Sequence, residues 1–294
     1  MRVVRFLGIC LLAFYLFLDL LFPTAWSELF IYNLIATAAI VAIACAPHIS
    51  DRIAKPSVGI AVTFWALGSA VASSSIFFSS STLANTVSNV LYLLFYPFAI
   101  IGLPRLLAAQ RKLSLIELVD SSIFGLGLST LGSALVLKPV LPHFDGNISE
   151  TFFAIMYPAA DLILVCVVIA TVAMQGYSRR GLVLSIGVIV FALNDIVYLW
   201  QNINGSYLMG SILDIGWVVG LLLIAESFWQ PGIDSKAHEG INPILISISV
   251  SLSATLLALI AMRPDYFPRF ILIPAIATLA LAFARMALAL TQAK

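Results

Sequence analysis

The chain has 294 residues, of which 62% are hydrophobic and 10% charged, with a formal net charge of +1. Soluble domains carry about 25% charged residues, so the composition excludes an ordinary soluble domain, and the near-neutral charge argues against a nucleic-acid footprint. Cys10, Cys45 and Cys166 stand singly in apolar runs without metal or redox spacing and read as packing residues. His48, His143 and His238 fall at helix ends or in loops, not face to face inside spans, so a bis-histidine haem is not expected. No cofactor is expected.

A spanning helix needs about 20 predominantly apolar residues. Ten segments qualify: Val3–Phe22, Trp26–Ala46, Val58–Phe78, Thr86–Leu107, Leu115–Leu137, Phe152–Met174, Leu182–Trp200, Leu208–Phe228, Pro243–Met262 and Phe270–Leu290. The first follows Arg2 and Arg5 and competes with a signal-peptide reading. Its apolar run is longer than a signal-peptide core and is interrupted by Asp19, which favours a span. The expected fold class is all-α, a polytopic membrane protein of about ten transmembrane helices.

Basic residues in short loops set orientation. Arg2 and Arg5, Arg52 and Lys55, Arg105, Arg111 and Lys112, Arg179 and Arg180, Lys236 and Lys294 fall on one side, against Lys138, Arg263 and Arg269 on the other. Both termini are therefore expected in the cytoplasm. The longest outer loop, Lys138 to Glu150, is too short for a domain.

The chain also resembles itself at a shift of 125 residues: Tyr32-Asn33 matches Tyr157-Pro158, and Asn89-Val90-Leu91-Tyr92 matches Asp214-Ile215-Gly216-Trp217. Phe64-Trp65-Ala66-Leu67-Gly68 also resembles Phe191-Ala192-Leu193-Asn194, at a shift of 126 to 127 residues. The shift spans four helices, so the copies share orientation and make a parallel repeat. The expected organisation is one integrated membrane domain, with a first four-helix repeat (1–112), a second (113–232) and a two-helix extension (233–294). Ser121, Gly125, Ser129 and Ser133 recur every four residues, as do Gly216 and Gly220. Such faces let helix backbones approach closely in lipid.

Acids inside spans carry the functional interest, because an ionisable group in hydrocarbon usually faces a bundle interior or a wet cavity. They are Asp120, Asp161, Asp195, Asp214 and Glu226. Glu226 reads as interfacial, and Asp120 as an interfacial cap or an interhelical hydrogen bond. Asp195 and Asp214 flank the polar turn Asn202 to Tyr207, each about two helical turns away. That places both in the same, outer half of the bilayer, and Asp161 lies near mid-span. Asp161, Asp195 and Asp214, with Tyr157, Asn194, Tyr198 and Trp217, are the candidate ligand-binding set, and Asn202 lies near them along the chain. The alternative is that the acids only make structural hydrogen bonds.

Several stretches resemble the N-terminal membrane region of bacterial, especially actinobacterial, GGDEF and GGDEF–EAL signalling proteins. Ser81-Thr82-Leu83-Ala84-Asn85 running to Asn89-Val90-Leu91-Tyr92-Leu93-Leu94-Phe95-Tyr96-Pro97 is similar to that region's SLAD-x-LYLLxYP segment. Leu118-Val119-Asp120-Ser121-Ser122 running to Val136-Leu137-Lys138-Pro139, Tyr157-Pro158-Ala159-Ala160-Asp161-Leu162, and Leu213-Asp214-Ile215-Gly216-Trp217-Val218-Val219-Gly220 fit in the same order. The resemblance covers nearly the whole chain. It implies a multi-pass membrane input module of a bacterial plasma (inner) membrane, whose last helix leads into a cytoplasmic output domain. The sequence contains no GGDEF, EAL or kinase motif, so the resemblance implies no cyclic-dinucleotide chemistry here, and the chain reads as a stand-alone relative or a fragment. Ser69 and Asn89 stand in the first repeat where acids would be expected.

Three functions follow. The first is a non-enzymatic membrane sensor or scaffold that binds a small or lipid-like ligand in an outer-half pocket and relays to a homodimer or a cytoplasmic signalling partner. The second is a transporter or channel for a small polar or cationic solute, favoured by the repeat and the acids, but without matching broken helices in the two halves. The third is a membrane enzyme. No HExxH or DxxD motif and no histidine near the acids supports it, so no catalytic residue and no metal ligand is expected. The lipid bilayer is the expected surrounding partner.

Overall fold

The computed structural model describes residues 2–21, 26–49, 51–75, 77–78, 81–107, 115–136, 148–175, 177–208, 211–232, 243–262 and 272–292. The described residues are helical, with no strand. The helices are α1 (Arg2–Leu21), α2 (Asn33–Ala44), α3 (Ala54–Ser74), α4 (Thr82–Leu107), α5 (Leu115–Val136), α6 (Ile148–Gln175), α7 (Arg179–Ile203), α8 (Ile215–Ser227), α9 (Pro243–Met262) and α10 (Leu272–Gln292). A π-helical segment, Ser27–Tyr32, leads into α2, and a 3-10 turn, Ile212–Asp214, leads into α8. The stretch around Lys138 that the sequence reads as an outer loop, the region holding Lys236 and His238, and residues 263–271 lie outside the described residues, as does His143.

Five helical stretches are long and apolar enough to cross a membrane: Ala54–Ser74, Thr82–Leu107, Met156–Ala173, Arg179–Asn202 and Leu272–Leu290. Leu29–Ala44, Ile215–Ser227 and Ile246–Met262 are apolar but shorter. Large apolar side chains such as Phe17, Leu83, Leu193, Trp200 and Phe283 face outward, which suits a hydrocarbon surrounding and would be a liability in water. Hydroxyls inside the helices satisfy themselves locally. Thr63 bonds to Gly59 O at 2.7 Å, Thr171 to Val167 O at 2.7 Å and Thr278 to Pro274 O at 2.7 Å, as polar groups must where water is absent.

Helix ends follow local chemistry. Ser178 caps α7, its Oγ accepting from Gly181 N at 2.9 Å. Asp51 Oδ1 accepts from Ile53 N at 2.9 Å just before α3, and Ser81 Oγ accepts from Ala84 N at 3.1 Å at the start of α4. Gly205, at φ 62°, makes the turn after α7 in a conformation that costs glycine little.

α3 packs along α4 and α7 along α8 as antiparallel neighbours. α2 also packs on α8, and α4 on α6, which closes the central bundle. Its core contains Trp65, Phe95 and Phe191, with Phe95 stacked on Phe191 at 5.0 Å and Trp65 edge-on to Phe191 at 6.2 Å. α1 lies against α2. α5 packs on α6, and α9 and α10 pack on α5.

The small-residue faces mark these close approaches. At Gly125 an added Cβ would lie 2.8 Å from the Val167 backbone of α6, and at Gly127 it would lie 3.0 Å from Ser249 Cα of α9. Gly216 and Gly220 face Asn194 and Phe191 of α7. Ser129 is buried, whereas the side chains of Ser121 and Ser133 lie outside the described residues.

Charged pairs gather at one end of the bundle. Arg5 of α1 pairs with Glu226 of α8, which also accepts from Gln230. Arg105 of α4 pairs with Asp51 at 2.9 Å. Arg180 donates to Gln230 O and Leu106 O, and Lys55 to Ala46 O. At the other end, Trp26 packs on Phe30 and Phe77.

Candidate functional site

Four side chains from four helices meet inside the central bundle. Tyr96 precedes Pro97 on α4, Asp161 lies on α6 beyond Pro158, Asp195 on α7, and Trp217 in the first turn of α8. Prolines inside helices are tolerated at such depth because neighbouring helices satisfy the freed backbone groups. The Tyr96 hydroxyl sits 3.0 Å from Asp161 Oδ1 and 3.1 Å from Asp195 Oδ2. The Trp217 indole N–H donates to Asp195 Oδ1 at 2.6 Å. Asp161 is 1% exposed and Asp195 9%. Among the described residues the ion pairs are Arg5–Glu226, Arg105–Asp51 and Arg285–Asp120, and none reaches Asp161 or Asp195. Asp161 Oδ2 is buried with no hydrogen-bond partner.

From this set an aromatic path runs to the α7–α8 turn. Trp217 packs edge-on against Tyr198 at 5.6 Å, and Tyr198 against Tyr207 at 4.7 Å. The Tyr207 hydroxyl donates to the Asp214 carboxylate, 3.2 Å and 3.3 Å from its two oxygens. Burial, reinforced by the negative charge of Asp214, holds the Tyr207 phenol above its ordinary titration range.

The sequence-derived candidates therefore divide. Asp161, Asp195 and Trp217 come together, and Tyr198 flanks them. Asp214 joins a different group. It ends the 3-10 turn just before α8, not two turns inside a helix, and the described residues Leu208 and Ser211 are not helical. The Tyr32 hydroxyl of the π-helical segment donates to Asp214 O at 2.8 Å. Tyr157 turns towards α4, its hydroxyl 3.0 Å from both Asn89 O and Asn89 Oδ1. Asn194 packs against Gly216, where any larger residue would collide with its amide. Asn202 is exposed. Of the remaining acids, Asp120 is held by Arg285 of α10 at 2.7 Å and Glu226 by Arg5.

Tyr96 and Tyr207 are the members that the sequence reading left out. Tyr96 lies within Leu91-Tyr92-Leu93-Leu94-Phe95-Tyr96-Pro97, and a hydroxyl one residue before a mid-helix proline is the signal that singles it out. Comparison of the chain with family models, with curated proteins and with solved structures finds no match.

Proposed function

We propose that the chain is a multi-pass sensor or scaffold module of a bacterial plasma membrane, without catalysis of its own. It binds a small cationic or polar ligand near Asp161 and Asp195 and relays the event to the cytoplasm. The observation that carries this reading is the acid pair itself. Two carboxyls without a basic partner, joined by one phenol, tie α4, α6, α7 and α8 together. Buried acids placed this way are costly in hydrocarbon and mark functional positions. A group that exchanges with the pair changes the contacts of four helices at once, and a ligand shifts an equilibrium only through such differential contacts.

The proposed architecture is about ten spans, both termini cytoplasmic, in two parallel four-helix repeats with two appended helices. Two equivalent hydrogen bonds support the repeat. Tyr32 donates to the backbone carbonyl of Asp214, and Tyr157, 125 residues on, meets that of Asn89, which lies 125 residues before Asp214. The corresponding helix contacts, α2 with α8 and α6 with α4, are equivalent as well. The cluster of Arg5, Lys55, Arg105 and Arg180 at one end supports a cytoplasmic assignment for that end.

The test is a thermal-stability screen of the protein in lipid nanodiscs against choline, spermidine, arginine and betaine. A saturable rise in stability that disappears in Asp161→Asn/Asp195→Asn is the expected result. No shift by any of the four, or one that survives the double substitution, refutes this site. Uptake of the stabilising compound into proteoliposomes would move the assignment to the transporter reading, which the repeat and the buried acids also favour.

A further inference from the structure

We propose that Asp161, Asp195 and Tyr96 form a binding site for a single proton that exchanges with the aqueous phase. The inference deepens the proposed sensing role of the same site and names a second, simpler ligand for it.

The hydrogen count leads to this assignment. Tyr96 has one hydroxyl hydrogen, yet its oxygen lies at hydrogen-bond distance from two carboxyl oxygens, 3.0 Å from Asp161 and 3.1 Å from Asp195. If the hydroxyl donates to one carboxylate, the other contact needs a donor of its own, and a carboxylic O–H donating back to the phenol oxygen supplies it. With one proton present the set is a chain, carboxylic acid to phenol to carboxylate, and both contacts are used. With none, two anions have between them only the phenol hydrogen and the Trp217 N–H, in a site where, among the described residues, neither meets a cation. Desolvated charges without partners are strongly disfavoured.

The surroundings agree. The groups facing the pair are Tyr92 on α4, Tyr157 on α6 and Tyr198 on α7, all neutral phenols, and the Trp217 N–H on α8. Asp214 on α8 is engaged by Tyr207. The charged residues on the other helices packed nearby are occupied: Asp120 of α5 by Arg285, and Lys55 of α3 by Ala46 O. Among the described residues no lysine or arginine forms an ion pair with either carboxylate. In that hydrogen-bonded chain the proton resides on the carboxyl oxygen that faces the phenol, Asp161 Oδ1 or Asp195 Oδ2. A metal ion fits less well. Hard cations take about six or more oxygen ligands, one of the four oxygens here already accepts from an indole, and no group of three or more metal-ligating side chains occurs among the described residues.

Infrared spectroscopy of the protein in lipid nanodiscs, with and without carboxyl-13C aspartate, tests this directly. The expected result at neutral pH is a carboxylic-acid C=O band that shifts on labelling and in D2O. It is retained in Asp214→Asn, lost in Asp161→Asn/Asp195→Asn, and moved in frequency in Tyr96→Phe, which keeps both acids. Absence of the band in the wild type, its survival in the double variant, or an unmoved band in Tyr96→Phe overturns the proposal. Loss of the band on addition of sodium chloride at constant pH also overturns it, in favour of a metal-cation site. The spectrum reads protonation alone. The band can therefore be present while none of the organic ligands binds, or absent while one does, and the two readings fail separately.

Discussion

The seam between α5 and α6 offers a sharp test of the packing. Replacing Gly125 by alanine puts a methyl group 2.6 Å from Val167 Cγ2 and 2.8 Å from Val167 N and Cα. Carbon atoms pack at about 3.5–4.0 Å, and a backbone atom of a neighbouring helix has no rotamer by which to retreat. The helices must therefore separate by roughly 1 Å. Overpacking of this kind costs about 1–3 kcal/mol, and the better helix propensity of alanine returns at most about 1 kcal/mol. Gly59→Ala is the internal control. Its new methyl meets only Ile43 Cγ2, at 4.0 Å, so the propensity gain stands alone, at about 0.5–1 kcal/mol. The propensity gain is common to both, so the two variants should differ by the overpacking cost, about 1–3 kcal/mol, with Gly125→Ala the less stable. Equilibrium unfolding in mixed detergent micelles, with increasing dodecyl sulfate as denaturant, measures the difference. Equal stabilities for Gly125→Ala and Gly59→Ala would refute the close approach of α5 to α6.

Two further contrasts use the same unfolding assay. Arg105→Met leaves the Asp51 carboxylate, 3% exposed, without its cation, and stability is expected to fall by about 3–5 kcal/mol, as when a buried pair loses one partner. Arg5→Met removes a pair whose side chains are 32% and 22% exposed, so a loss below about 1 kcal/mol is expected; the reverse order would contradict the burial described for these ends. Tyr32→Phe and Tyr157→Phe each delete one hydrogen bond between the proposed repeats, at about 1 kcal/mol apiece. Their costs should add in the double variant, since no shared partner couples them, and a strong departure from additivity would show that the two bonds do not act as independent clasps.

The helices were legible because apolar runs of sufficient length leave the backbone few alternatives in hydrocarbon. Asp161, Asp195 and Trp217 were legible as a group because polar side chains inside such runs must find one another. What the sequence withheld was partner choice. Helical periodicity says which residues share a face, but not which helix that face meets, so Tyr157 was assigned to the acids when its hydroxyl lies against Asn89. Tyr96 was passed over for the opposite reason: in a run of leucines and aromatics its ring reads as packing, and only the convergence of α4 with α6 and α7 gives its hydroxyl two carboxyls. Asp214 reads as lying inside a helix because Leu208 to Ile212 is largely apolar, whereas α8 starts at Ile215.

The arrangement of helices suggests how the proposed site would be felt elsewhere. Asp161 lies on the same helix as Val167, and Val167 is the residue against which Gly125 of α5 is pressed. α5 in turn carries Gly127 against Ser249 of α9, and Asp120 in contact with Arg285 of α10. A displacement of α6 that follows gain or loss of a group at Asp161 therefore meets backbone, not yielding side chains, at its next two contacts. Interfaces packed this tightly move as units. In the sensing reading, α9 and α10 receive the motion through α5. A Gly125→Ala protein would then still bind at Asp161 and Asp195 but lose the coupled change in α10, which a spin label at Met286 on the exposed face of that helix would report. Retention of the full response at Met286 in Gly125→Ala would remove the α5–α6 seam from the relay while leaving the acid site in place.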